Sequence, residues 1–193
     1  MTFFHHPHPI ELEGGGSLAA LTIAYTTYGK LNADKSNVVW VCHALTANSD
    51  AADWWNGVVG KDHVIDPGKY FIVCANILGS CYGTTGPLSI DPFTGKPYYS
   101  SFPLFTIRDM VKVHIILRKH LQIENIYLLM GGSMGGYQAM EWCIIEPNVI
   151  DHLFLLATSP TESAWGIATH TAQGLANEAD CTWQANSPVA GAK

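Results

Sequence analysis

The sequence predicts an α/β fold, a mostly parallel sheet with flanking helices, and three observations carry that expectation. Four short apolar runs occur without polar alternation: Val38–Cys42 (VVWVC), Tyr70–Ala75 (YFIVCA), Ile126–Met130 (IYLLM) and His152–Ala157 (HLFLLA). Runs of that kind mark strands buried on both faces. Segments of helical periodicity separate the later runs, which is the alternation of a helix-covered parallel sheet. Finally, 193 residues at 48% hydrophobic and 13% charged can bury a sizeable core and are too apolar for a disordered segment.

Taken in order, Ile10 to Gly16 closes in a turn of three glycines, Gly14 to Gly16. Leu21–Tyr28 (LTIAYTTY) reads as a strand, stopped by Gly29 and the polar Asn32-Ala33-Asp34. The two buried runs at Val38 and Tyr70 follow. Residues 76–101 are rich in Gly, Pro, Ser, Thr and Tyr, which predicts a long structured loop. Thr106 opens a helix in which Ile107, Met110, Val111, Leu117 and Leu121 share one face. Arg108, Lys112, Arg118 and Lys119 take the other. A second helix, Met134–Ile145, begins at once after the third buried run and stops before Pro147. Beyond Pro160 the character changes. Ala164–Ala179 reads as a helix with Trp165, Ile167, Ala168, Ala172 and Leu175 available for an apolar face, and Asn186–Lys193 reads as loop.

Composition removes several classes of function. The formal charge of −6 argues against nucleic acid as a partner, because phosphate binding needs a basic face. No run approaches the length of a membrane span, and Met1 to Pro7 has neither the basic nor the apolar region of a signal peptide. The five cysteines, Cys42, Cys74, Cys81, Cys143 and Cys181, form no C-x-x-C pair. Neither a disulfide scaffold nor a metal site is expected from them, and the cytoplasm is the default location. His5, His6 and His8 are separated by prolines and read as a flexible surface tail rather than a metal site. The glycine-rich stretch Gly79–Gly86 lacks the lysine of a phosphate loop and reads as turns.

Gly131-Gly132-Ser133-Met134-Gly135 fits G-x-S-x-G in the setting that gives the motif meaning, after a buried strand and at the start of a helix. A tight strand-to-helix turn strains the serine backbone and brings the residues two before and two after it together, so Gly131 and Gly135 are needed there. Ser133 is thereby the predicted nucleophile of an α/β-hydrolase-type fold. It stands where a helix N-terminus favours negative charge, with the Met134 N–H as one oxyanion donor. The second donor is expected from the loop after an earlier strand, His43-Ala44-Leu45-Thr46, with the Leu45 N–H the first candidate and Thr46 the second. His43 precedes the serine, against the chain order of this fold, and is expected to pack beneath that loop rather than act as base. After Ser133 the histidines are His152, expected at the far end of the sheet, and His170, in the helix after Pro160. The base and its acid partner therefore have no strong candidate. Asp53-Trp54-Trp55-Asn56-Gly57 either walls a pocket or packs.

Over most of its length the chain resembles the homoserine O-acetyltransferase family. The likeness is carried by Tyr28–Asn32 (YGKLN), Cys42–Thr46 (CHALT), Trp54–Gly57 (WWNG), Ala75–Cys81 (ANILGSC), Gly83–Pro87 (GTTGP), Thr106–Met110 (TIRDM), Gly131–Gly136 (GGSMGG) and Ser163–Ala168 (SAWGIA). The resemblance implies a dimeric cytoplasmic enzyme of methionine synthesis that moves an acyl group from an acyl-CoA to the hydroxyl of L-homoserine. It implies no bound cofactor, with acetyl-CoA as co-substrate. By motif, Ser133 would be acylated and Leu45 and Met134 would supply the oxyanion N–H groups. Residues 1–160 would be the N-terminal part of the core and 161–193 the start of an incomplete helical lid. The family often has glycine after the Leu-Thr pair, where this chain has Ala47. The family's catalytic Asp and His, and an arginine that holds substrate, would fall beyond Lys193. Two other readings remain open at this point: a serine esterase or other hydrolase, and a non-catalytic truncated fragment with apolar surface at an open sheet edge.

Overall fold

Six strands form one sheet in the computed structural model, which describes residues 1–181 and 183. In chain order they are β1 (Thr2–His6), β4 (Leu21–Tyr28), β5 (Val38–Cys42), β6 (Phe71–Ala75), β7 (Ile126–Gly132) and β8 (Ile150–Leu156), while β2 (Ile10–Glu11) and β3 (Ser17–Leu18) make a separate hairpin. The order across the large sheet is β1-β4-β6-β5-β7-β8. The pairs β5 with β6, β5 with β7 and β7 with β8 are parallel, whereas β1 and β4 are an antiparallel margin. The mostly parallel sheet expected from the apolar runs is therefore present, and the loop over 76–101 is structured as expected. Thr84 and Thr85 use their hydroxyls to accept from the backbone N–H groups of Ala24 and Thr22, pinning that loop to β4.

The core divides by strand parity. In β5, Val38, Trp40 and Cys42 face one cluster together with Leu117 and Trp142, and Val39 and Val41 face another with Ile72, Cys74 and Met130. Helices α2 (Ile107–His120) and α3 (Met134–Ile145) cover the first face, and the segment holding α1 (Ala51–Trp54) covers the second. Thr106 starts α2 with a capping box: its hydroxyl accepts from the Asp109 N–H, and the Asp109 carboxylate accepts from the Thr106 N–H.

Three expectations are corrected. The histidines at the N-terminus are no loose tail, since His5 and His6 lie in β1 paired opposite Thr22 and Leu21. Alternation in Thr2–His6 was masked by its mixed composition, and the cross-strand partner supplied the order. Arg118, assigned to the polar side of α2, is buried and donates to the Ile123 carbonyl and the Glu146 carboxylate, which also accepts from the Trp142 indole. Most consequentially, β8 is apolar but exposed: it lies at the margin of the sheet, paired to β7 alone among the described residues. Helix α4 (Ala164–Glu178) follows and leaves Trp165, Ile167 and Leu175 in solvent. Among the described residues no helix is long and apolar enough to cross a membrane. The loop expected over 186–193 lies outside the described residues.

Candidate active site

Ser133 sits between the end of β7 and the start of α3 with φ 52° and ψ −123°, a left-handed backbone that L-residues avoid. The turn that forces this conformation leaves no room for side chains around it. A Cβ on Gly131 would lie 2.2 Å from the Gly135 carbonyl oxygen, and one on Gly135 would lie 2.0 Å from the Cys42 carbonyl oxygen. Gly136 is equally constrained, with the Thr158 methyl 2.4 Å from where its Cβ would be. The strained residue is held by hydrogen bonds on both sides of its peptide groups. Its N–H donates to the Leu156 carbonyl (3.0 Å), and its carbonyl accepts from the Gly136 N–H (2.9 Å) and the Thr158 hydroxyl (3.0 Å). Ser133 itself is exposed at the carboxyl end of the sheet, presenting a hydroxyl where the positive end of α3 lies behind it. Met134 is the first residue of α3, so its N–H belongs to the turn that has no acceptor within the helix.

The loop after β5 lies against that turn, as the close approach of Gly135 to the Cys42 and His43 carbonyls requires. Leu45 and Thr46 are the central residues of a turn closed by the Ala47 N–H donating to the Ala44 carbonyl (3.1 Å). That bond occupies neither the Leu45 nor the Thr46 N–H, so both predicted donors remain available by geometry.

His43 is fully committed to holding this loop. It is 1% exposed, its Nδ1–H donates to the Ala44 carbonyl (2.8 Å), and its Nε2 accepts from the Ile77 N–H (3.2 Å). Burial lowers its pKa, and with both nitrogens engaged it has no lone pair to offer a reacting group. The expectation that it packs beneath the loop agrees with this geometry. His152 lies opposite Leu128 in the β7–β8 pair, with its ring against Tyr127, towards the end of the sheet away from Ser133. His170 is exposed on α4 with its Nδ1 3.7 Å from the Glu162 carboxylate. Among the described residues no histidine hydrogen-bonds to the Ser133 hydroxyl.

Trp54 and Trp55 resolve in different ways. The Trp54 indole N–H donates to the Asn48 carbonyl and stacks on Trp55 at 5.1 Å, while Trp55 helps line an apolar cavity of about 300 Å³ with Met130, Phe154 and Leu156. The cysteines are free, and burial pushes the Cys42 and Cys74 thiols up, away from nucleophile or ligand chemistry. Among the described residues no group of three or more His, Cys, Asp or Glu side chains is placed to hold a metal. Two residues near the site escaped sequence reasoning, Gln138 and His114, both completely buried and joined by a 2.9 Å hydrogen bond. Their only sequence signal is polarity on the inner faces of two helices.

A strained serine on a strand-to-helix turn of a parallel sheet defines a class, and the chain belongs to it: residues 37–179 match the family described as the alpha/beta hydrolase fold. Within that class the chain is similar to homoserine O-acetyltransferases. The enzyme of that name from Trichormus variabilis is 48% identical over 182 residues, which are 94% of this chain and 51% of the relative. The crystal structure of homoserine O-acetyltransferase from Bacillus anthracis superposes with a TM-score of 0.87 at 29% identity, covering 98% of this chain and 57% of that one. An acetylester hydrolase from Corynebacterium glutamicum superposes with a TM-score of 0.82 at 28% identity, covering 93% and 50%. The chain spans about half the length of the curated relatives it matches.

Proposed function

We propose that this chain carries the nucleophile of a homoserine O-acetyltransferase, with Ser133 accepting an acetyl group from acetyl-CoA and passing it to the hydroxyl of L-homoserine. The observation that carries the reading is Ser133 at φ 52° and exposed on the elbow. The choice of acceptor is supported by relatives of that name at 44–49% identity. In the first half-reaction Ser133 Oγ attacks the thioester carbonyl and loses its proton to a base. The oxyanion is held by the N–H groups of Met134 and Leu45, and its collapse breaks the C–S bond as the protonated base gives its proton to the departing coenzyme A sulfur. In the second, the homoserine hydroxyl gives its proton to the base and attacks the seryl ester; collapse returns that proton from the base to Ser133 Oγ, freeing the serine and yielding the acetyl ester of homoserine.

In this reading none of His43, His152 and His170 is the base. The first is locked in the loop, the second lies down the strand, and the third pairs with Glu162 in solvent. The histidine and its acid partner would come from beyond Lys193 or from another chain, and this chain alone would be inactive. Transfer in place of hydrolysis requires that water be kept from the acetyl-enzyme, a task assigned here to a helical lid that begins with α4. The working protein would be a cytoplasmic homodimer of methionine synthesis with no bound cofactor. Hydrolysis is the second reading, favoured by the structural likeness to the acetylester hydrolase.

Thiol release from acetyl-CoA, with and without L-homoserine and beside Ser133→Ala, tests the proposal. Homoserine-dependent release that disappears in Ser133→Ala establishes the transferase and overturns the missing base. Release indifferent to homoserine establishes the hydrolase. Folded protein that releases nothing is the outcome expected of this chain alone.

A further inference from the structure

Gln138 is completely buried in α3, one turn after Met134. A buried amide needs partners for its donors and its acceptor, and this one finds them on three separate elements. Its Nε2 donates to the Met134 carbonyl (3.2 Å), at the start of α3, and to the His43 carbonyl (3.4 Å), just past the end of β5. Its Oε1 accepts from His114 Nε2 (2.9 Å), on α2. The amide can point only one way, since two carbonyls can accept only from its NH2 group. That orientation requires His114 to carry its proton on Nε2, leaving Nδ1 bare, and Nδ1 is indeed a buried atom with no partner among the described residues. His114 cannot turn away, because its ring stacks on Trp142 (5.8 Å, interplanar angle 6°) and meets Trp40 edge-on (5.9 Å, 80°).

The two carbonyls belong to the two segments that would form the oxyanion hole. We propose that Gln138 is a positioning residue that clamps the loop 43–47 to the first turn of α3 and so sets the Leu45 and Met134 N–H groups relative to one another. The oxyanion part of this inference rests on the reading of Ser133 as nucleophile. The clamp continues through His43, which sits between the Ala44 carbonyl and the Ile77 N–H. Volume alone does not explain the residue. Methionine or leucine fills a similar space without the cost of burying an amide, whereas only a donor ties both carbonyls.

The test is residue-resolved amide exchange of the whole chain, comparing Gln138→Met with Leu117→Ala, a core change on α2 away from the clamp. The Ala47 and Ile77 amides report the loop, through their bonds to the Ala44 carbonyl and to His43, and the Val39 and Trp40 amides report the sheet. With the donors to the Met134 and His43 carbonyls and the acceptor for His114 all removed, exchange at Ala47 and Ile77 in Gln138→Met should rise roughly tenfold or more beyond that of Val39 and Trp40. In Leu117→Ala all four should rise together. Should Gln138→Met fail to fold, Gln138→Leu serves in its place. Parallel rises in the Gln138 variants, or no rise at the loop, would overturn the clamp. The readout needs no turnover, so failure of the transferase reading shows in the thiol assay and not here.

Discussion

Strands β5 and β8 are spelled alike and live differently. Every residue of VVWVC in β5 is at 0% exposure, whereas Leu153, Phe154, Leu155 and Leu156 of β8 stand between 37% and 48%. β5 is flanked by β6 and β7 and covered by α2 and α3 on one face and by the 51–65 segment on the other. Among the described residues β8 is paired on one edge alone, and the helix that follows it keeps its large apolar residues in solvent. An apolar run therefore records the surroundings a strand is suited to, and the strand's rank in the sheet decides whether it has them. Ser133 stands at the join between the two regimes. Its helix is packed backbone-to-backbone on the end of β5, while its own N–H and carbonyl are tied to Leu156 and Thr158 on the exposed side.

The covered side should yield the largest effect. A methyl on Gly135 meets the Cys42 carbonyl oxygen at 2.0 Å, backbone against backbone, with no side chain to swing aside. Gly135→Ala is expected to cost about 3 kcal/mol or more in urea unfolding, at or above the usual range for overpacking. A cost below about 1 kcal/mol would mean that α3 does not seat on β5 as closely as described.

A second effect comes from the same buried layer and depends on pH. Burial holds the His114 pKa down to about 4, while the unfolded chain titrates near the ordinary 6.5. Between those values the unfolded state binds more protons, so stability is complete above about pH 6.5 and falls as the pH is lowered towards 4. His114 alone accounts for roughly 3 kcal/mol of that loss, and the buried His43, shifted the same way by desolvation, adds to it. His114→Asn should flatten the fall by about one proton in that window. An unchanged slope would mean that His114 titrates normally and is not sealed between its two tryptophans.

The reach of the sequence follows the same division. Leu21–Tyr28, Val38–Cys42 and Met134–Ile145 were legible to the residue, because buried elements bounded by turns leave uninterrupted patterns. The elbow was legible for a different reason: a turn that tight admits glycine alone at 131 and 135, so its steric demand is written directly in the residues. β1 was not legible, since His5 and His6 carry no strand signal and their order comes from β4 across the ladder. Nor was the inward turn of Arg118, which depends on Glu146 arriving from the end of α3. The clamp at Gln138 was invisible for the same reason. A lone polar residue on a helix does not announce that a carbonyl from the loop after β5 and a histidine from α2 will converge on it.

The smallest effect, and the sharpest contrast, lies on β8. Leu155 is paired opposite Gly131 in the ladder, and its side chain is 37% exposed. Threonine brings the strand preference of a β-branched residue and gives up only the part of the leucine contact that is made, so Leu155→Thr should cost under about 1 kcal/mol. A threonine two strands inward, Val39→Thr, places a hydroxyl where no water reaches and should cost about 1–3 kcal/mol. Solubility should move the opposite way. Removing a leucine from an exposed apolar edge lowers self-association, so light scattering at matched concentration should fall in Leu155→Thr and stay level or rise in Val39→Thr. Equal stability losses at the two positions would show that β8 is covered in solution, by a second copy or otherwise, and a scattering signal that is absent in the parent chain and rises with dilution from denaturant would point to the folding intermediate in place of the native edge.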